Sequence, residues 1–252
     1  GSVNIVVGDM SGHGVRIGGN IIIAKCRDID STQGGIEYYG SYVVPGHISG
    51  SGNIDFYSSG YRAFGYSNTS YILNEGSHFF DGTLTVHSVG LFASNCTLGG
   101  DVVIDSKLIY VNPDPTYNAY ANIALSCWHG ADGDLTINGS LTLNAPIPPG
   151  PYSYSPALLM VKPSAISSRK IIVSGICDIN SQRFPVTCQY SEYLYDIPVG
   201  TYELIRSYGV MSGTFVSTYS YNGPPPSYPL YSFSCSIVNN GGYYSFMFTR
   251  IS

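Results

Sequence analysis

A five-residue unit recurs through the first half of the chain and restricts its fold more than any other feature. It reads Gly19-Asn20-Ile21-Ile22-Ile23, Gly52-Asn53-Ile54-Asp55-Phe56, Gly82-Thr83-Leu84-Thr85-Val86, Gly100-Asp101-Val102-Val103-Ile104 and Gly133-Asp134-Leu135-Thr136-Ile137. Glycine leads, a polar residue follows, and two apolar residues stand either side of one further position. Along an extended chain successive side chains point to opposite faces, so the two apolar residues share one face, built for burial. The units start 33, 30, 18 and 33 residues apart. The pattern therefore repeats while its length does not, as in a solenoid whose loops vary. An antiparallel β-sandwich of short strands divided by glycine-rich turns is the alternative, but the like start of every unit favours stacked coils. The expected fold is all-β: an irregular β-solenoid or stacked β-arches with short strands and Gly/Pro-rich loops.

Proline sets the divisions. The run Ala145-Pro146-Ile147-Pro148-Pro149-Gly150-Pro151 cannot sit inside a sheet, because proline lacks the ladder donor and fixes its own backbone angle. It predicts a repeat-built β region over 1–145, a Pro-rich linker over 146–156 and a C-terminal β module over 157–252. A second cluster, Gly223-Pro224-Pro225-Pro226, separates strand-like Thr214–Ser220 from Tyr228–Val238 and reads as an extended loop. Ser168–Asn180 and Thr201–Ser207 also read as strands.

Composition narrows the function classes. Only 11% of the chain is charged, against about 25% in a typical soluble domain. Glycine (30 residues) and tyrosine (23) are abundant instead, and with Ser, Asn and Thr they suit turns and half-buried strands better than helices. A net charge of −5 offers no basic stripe for phosphates, so nucleic acid is not an expected partner. The longest apolar stretches fall far short of the roughly 20 residues of a membrane-spanning helix. The opening Gly1-Ser2-Val3 reads as a mature form after signal removal.

Six cysteines, Cys26, Cys96, Cys127, Cys177, Cys188 and Cys235, are widely spaced without a CxxC pair. Zinc and thioredoxin-like chemistry lose support. An even count in an exported chain favours disulfides, within or between copies, with buried thiols as the other reading.

From Ala157 to about Phe248 the chain resembles the last part of autotransporter-like passenger modules. The matching residues are Ala157-Leu158-Leu159-Met160-Val161, Ile171-Ile172-Val173-Ser174-Gly175, Gly200-Thr201-Tyr202-Glu203-Leu204-Ile205 and Gly213-Thr214-Phe215. This resemblance implies a surface β-solenoid. As a whole, the Tyr, Gly, Ser and Asn-rich composition with sparse charge and an even cysteine count resembles the sheath protein of filamentous methanogenic archaea. That likeness implies an amyloid-like β-arch subunit stacked into hoops around the cell and joined by disulfides.

Candidate chemistry is thin. Asp28 with Asp30, and Asp132 with Asp134, stand two apart on one side of a strand, a spacing that suits either a sugar-cleaving carboxylate pair or a calcium ion. Both pairs sit beside turns, where acidic residues ordinarily cap backbone. His13, His47, His78, His87 and His129 lack metal-site spacing. No nucleophile elbow, phosphate loop or dinucleotide fingerprint occurs. Three sequons permit glycosylation, at Asn68, Asn95 and Asn138, of which Asn68 and Asn138 are the candidates because Cys96, if bridged, would disfavour the other. Tyrosines such as Tyr193, Tyr195, Tyr219, Tyr231 and Tyr243 fall in polar, turn-rich surroundings and suit core packing, subunit interfaces or sugar platforms.

The sequence thus predicts an extracellular, non-enzymatic structural protein at the cell surface or in a sheath. It requires no cofactor and no metal, and its partners are itself, other envelope components or glycans. A carbohydrate-binding adhesin and a solenoid polysaccharide-cleaving enzyme are the rivals.

Overall fold

The computed structural model describes residues 3–6, 15–17, 21–25, 41–44, 48–50, 52–58, 70–73, 76–87, 90–93, 95–105, 122–124, 133–145, 159–182, 184–188, 193–222 and 230–252. Over these the protein is all-β, with two short 3-10 turns, Pro163–Ala165 and Leu194–Asp196, as its only helical pieces. No helix among the described residues is long and apolar enough to cross a membrane.

Strand β1 (Val3–Val6) is followed by coils of three strands each. The first coil holds β2 (Val15–Ile17), β3 (Ile21–Lys25) and β4 (Ser41–Val44), and the second β5 (Ile48–Gly50), β6 (Ile54–Ser58) and β7 (Ser70–Leu73). Then come β8 (Gly76–Phe80), β9 (Thr83–His87) and β10 (Gly90–Ala93), followed by β11 (Cys96–Leu98), β12 (Asp101–Asp105) and β13 (Asn122–Ala124). The next two coils are β14 (Leu135–Ile137), β15 (Leu141–Ala145) and β16 (Leu159–Val161), then β17 (Ile171–Val173), β18 (Cys177–Ser181) and β19 (Val186–Cys188). The chain closes with β20 (Gly200–Ser207), β21 (Met211–Ser212), β22 (Thr218–Asn222), β23 (Leu230–Asn239) and β24 (Tyr244–Arg250).

Equivalent strands of successive coils pair in parallel and make three sheets. The first is β1-β3-β6-β9-β12-β15-β18-β21 and the second is β4-β7-β10-β13-β16-β19. The third begins β2-β5-β8-β11-β14-β17-β20 and ends in antiparallel β24-β23-β22. The solenoid expectation is met for the stack, and the antiparallel element is confined to its C-terminal end.

The glycine units explain the register. Ile21, Ile54, Leu84, Val102, Leu141, Cys177 and Met211 are partners along the first sheet. From Ile54 onward all of them are buried, in a row of aliphatic and sulfur side chains. Val86, Ile104, Leu143 and Ile179 form a second buried row beside it. Rows of this kind remove each apolar side chain from water on both stacking sides, at about 25 cal/mol per Å² buried. Loop length is left free: one coil takes 18 residues from Leu84 to Val102, the next 39 from Val102 to Leu141.

Four of the five units, those at Gly19, Gly52, Gly82 and Gly100, lead into the first sheet. The fifth does not: Leu135 of the Gly133 unit pairs with Cys96 in the third sheet. The true successor is Gly139-Ser140-Leu141, followed by Gly175-Ile176-Cys177 and Gly209-Val210-Met211. The Pro-rich segment expected at 146–156 lies outside the described residues; around it β12 pairs with β15, β15 with β18, and β14 with β17, all in parallel. The change of architecture falls at β20, where parallel pairing with β17 on one edge meets antiparallel pairing with β24 on the other.

The antiparallel sheet lays an aromatic face over the last coil. Phe184, between β18 and β19, stacks on Tyr219 at 5.5 Å and meets Phe248 at 6.3 Å, while Phe215 meets Phe246 edge-on at 5.3 Å. Phe233, Phe246 and Phe248 are fully buried.

Candidate functional site

At the corner that enters the first sheet, each coil rests on the one before through glycine and through the polar residue after it. A Cβ on Gly82 would meet the Gly52 carbonyl, one on Gly100 the Gly82 carbonyl, and one on Gly209 the Gly175 carbonyl. Only a hydrogen fits there, which is why the unit begins with glycine. The next side chain carries an oxygen that accepts from the backbone one coil on: Thr83 N–H donates to Asn53 Oδ1 (3.0 Å), Ser140 N–H to Asp101 Oδ1 (2.7 Å) and Ile176 N–H to Ser140 Oγ (3.2 Å). Asp134 does the same at the third sheet's corner, accepting the Lys170 N–H at 2.9 Å. Its carboxylate thus serves the fold as a turn cap. Its neighbour Asp132, like Asp28 and Asp30, lies outside the described residues.

Two of the five histidines lie among the described residues. His78 is buried, its Nδ1 accepting the Ile48 N–H at 3.2 Å. His87 lies in β9, and His13, His47 and His129 fall outside the described residues. Among the described residues no group of three His, Cys, Asp or Glu side chains is placed to hold a metal ion.

Cys26 and Cys127 also lie outside the described residues, and no disulfide joins any two of Cys96, Cys177, Cys188 and Cys235. Cys96, Cys177 and Cys235 point into the core and Cys188 is half-buried. Burial, reinforced by the Asp178 charge, pushes the Cys177 thiol up to about 12, and burial raises that of Cys235 as well. Neither is a thiolate near neutral pH, so neither is placed for exchange. Of the sequons, Asn68 is outside the described residues, while Asn138 is exposed in the turn between β14 and β15. Asn95 is exposed with φ at 50°, and its neighbour Cys96 is buried.

Two clusters on the C-terminal sheet were not legible as sites. The first surrounds Glu203. A β-bulge between Glu203 and Ile205 turns Leu204 and Ile205 both inward, leaving Glu203 and Arg206 on the outer face. Glu203 there accepts from Arg206 (2.6 and 3.0 Å), Lys170 (2.7 Å) and Ser245 (2.6 Å), and Arg206 lies over the Tyr243 ring. Burial alone would raise the Glu203 pKa, but the hydrogen bonds from Arg206, Lys170 and Ser245 and the Lys170 charge outweigh it and hold the carboxyl at about 2. A carboxylate so engaged is a structural anion, unsuited to taking up protons. The adjacent pair Leu204-Ile205 inside an alternating strand was the signal for the bulge.

The second cluster is a column of rings. Tyr193 stacks on Tyr195 (4.7 Å, 9° between planes), Tyr195 on Tyr231 (5.4 Å, 26°), and the Arg250 guanidinium lies 5.1 Å from the Tyr231 ring centre. Arg250 Nη1 donates to the carbonyls of Tyr195 (2.6 Å) and Ile197. The tyrosines stand out in the sequence, but Arg250 lies 55 residues beyond Tyr195, and nothing local links them.

Comparison with known proteins adds no relative to this picture: no family model, no curated protein and no solved structure matches the chain.

Proposed function

We propose that the chain is an extracellular structural protein that assembles through its strand edges into a cell sheath, surface layer or filament. What supports the reading is the set of terminal strands that the stack leaves at its ends. Among the described residues these are β1, β4 and β2 on one side and β21, β19 and β22 on the other. Edges of this kind are templates for pairing with another chain. On the latter side the aromatic antiparallel sheet lies over the last coil, and β21 is only two residues long. Assembly by edge pairing uses terminal strands of this kind, and side-to-side contacts extend it. Sparse charge favours both, since little electrostatic repulsion separates the copies.

Disulfide reinforcement, if it operates between copies, falls to Cys26, Cys127 or Cys188, because Cys96, Cys177 and Cys235 are occupied in the core. Sedimentation over a range of concentrations, with electron microscopy of the same material, tests the reading. Discrete end-to-end or sheet-like assemblies that release monomer only in denaturant with reductant are expected. A chain that sediments as a monomer at every concentration, without reductant, overturns it.

A further inference from the structure

The column of tyrosines beside the Leu194–Asp196 turn has a geometry that the structural reading does not use. From it we infer that the outer face of Tyr193 is a platform for one pyranose unit of a neutral glycan, with the Asp196 carboxylate accepting from the sugar hydroxyls. The inference does not depend on assembly.

One face of the Tyr193 ring is covered by Tyr195, nearly parallel at 4.7 Å and 9°. The residue is nonetheless 55% exposed, which leaves the opposite face to solvent. The apolar face of a pyranose presents C–H groups carrying partial positive charge, and these pack on the negative face of an aromatic ring as ring edges do.

The platform is held still before any ligand arrives. Tyr193 N–H donates to Asp196 Oδ2 at 2.9 Å, and Asp196 N–H donates to the Tyr193 carbonyl at 2.8 Å. Below it, Arg250 clamps the carbonyls of Tyr195 and Ile197 and closes the column under Tyr231. A ring fixed in this way loses little freedom on binding, so a weak stacking contact is not cancelled by ordering cost.

The polar rim selects the ligand class. Asp196 is exposed and lies one tight turn from Tyr193, whose backbone N–H it accepts. Its bond to Tyr193 N–H leaves acceptor sites on the carboxylate, and a charged acceptor binds hydroxyl donors more strongly than a neutral one. A protein hot spot has the opposite surround, with charge depleted from the core of the patch and water excluded. The carboxylate also disfavours an anionic sugar, and so the ligand is neutral. Tyr208 is the internal contrast: it is 57% exposed, but its neighbour Tyr243 is tilted at 59° and 6.3 Å away, so it tops no flat stack.

Saturation-transfer NMR on the whole chain with short β-1,4-linked glucose, β-1,4-linked N-acetylglucosamine and β-1,3-linked glucose oligomers tests the inference. Transfer to sugar ring protons is expected for at least one of them, with the Tyr193 ring resonances shifting on titration and those of Tyr208 unmoved. Tyr193→Ala should weaken binding by about tenfold, the worth of one aromatic contact, whereas Tyr208→Ala should leave it unchanged. Asp196→Asn keeps an acceptor for the Tyr193 N–H and should weaken binding through lost charge alone. Absence of transfer with all three oligomers overturns the inference, as do Tyr193 resonances that stay put while a sugar binds.

Discussion

The parallel stack and the antiparallel cap cover strand edges by opposite means. In the stack each coil is covered by the next, so one set of rules recurs: glycine at the corner, an oxygen after it, aliphatic rows inside. Side chains in these rows meet their equivalents one coil away, and branched aliphatics tile that spacing well. The cap follows another rule. It covers the last coil in one layer, with Phe215, Phe233, Phe246 and Phe248 laid over that coil and its Phe184, large rings that cover more area per residue. Its outer face is tied by Glu203 and its donors, where the stack uses backbone-to-side-chain ladders. A repeat can thus be extended by copying a rule, whereas ending it needs a different one.

The largest expected effect breaks the cap. Phe248 is fully buried and meets Phe184, Phe233 and Tyr202 at 6.3, 5.9 and 6.4 Å. Phe248→Ala should cost about 3–5 kcal/mol. Because stability in a stacked protein is nearly a sum of local terms, hydrogen exchange should rise in β22–β24 while amides of β9, β12 and β15 stay protected. Loss of protection in both at once would mean that stack and cap unfold as one unit, and the contrast drawn above would fail.

Glycines give the next test, since they do different work in the two regions. A Cβ on Gly100 would meet the Gly82 carbonyl and the Phe80 ring, whereas one on Gly242 in the β23–β24 turn meets nothing. Gly100→Ala should destabilise by about 1–3 kcal/mol through overpacking, and Gly242→Ala should stay within about 0.5 kcal/mol. Thermal melts of the two variants decide it; equal shifts would remove the corner argument.

These same residues show what the sequence could and could not disclose. The stack was legible because its rule is local: glycine, polar residue and two apolar positions lie within five residues. The rule also misled, because Gly133-Asp134-Leu135 obeys it at a different corner, one that the third sheet shares with Asn95 and Cys96. Later units were missed where the polar position became Ile176 or Val210. Proline suggested a boundary at 146–156, which lies outside the described residues. The cap was legible only as strands over Thr214–Ser220 and Tyr228–Val238, without its last strand, Tyr244–Arg250. Its closure depends on a bulge and on register between Gly200–Ser207 and Tyr244–Arg250, and neither is written in composition. Of the candidate sites, Asp134 was placed beside a turn, but the bond it makes, to the Lys170 N–H 36 residues on, was not readable. The Glu203 cluster joins residues 170, 203, 206 and 245 and was not readable either.

Acid should separate the two regions. The Glu203 carboxyl titrates at about 2 in the folded chain, against 4.5 for its ordinary value. A depressed carboxylate contributes its full stabilisation above the ordinary value and loses it as pH falls toward the folded one. Between about pH 5 and pH 2 the amides of β20, β23 and β24 should therefore lose protection ahead of those of β12 and β15. Glu203→Gln should cost about 1–2 kcal/mol at neutral pH and remove the difference in acid response. If the variant keeps that difference, another group controls the cap.

The smallest effect concerns the ladder oxygens, and it asks whether the stack's corner is held by hydrogen bonds or by packing alone. Asp101 is exposed, and its Oδ1 accepts the Ser140 N–H of the next coil, 39 residues on, at 2.7 Å. Ser140 N–H stands at the start of β15, where a lost partner is replaced by water, so only the net value of one bond to a charged group is at stake. Asp101→Ala should cost about 1 kcal/mol, and Asp101→Asn, which keeps the acceptor, should cost less. The Ser140 amide should exchange faster in Asp101→Ala while the Val102 amide, bonded to the Ser140 carbonyl at 2.8 Å, keeps its protection. Should Asp101→Ala and Asp101→Asn melt together with the parent chain, the ladder oxygen of Asp101 serves only to keep the corner wet, and the glycine contact alone sets the stacking.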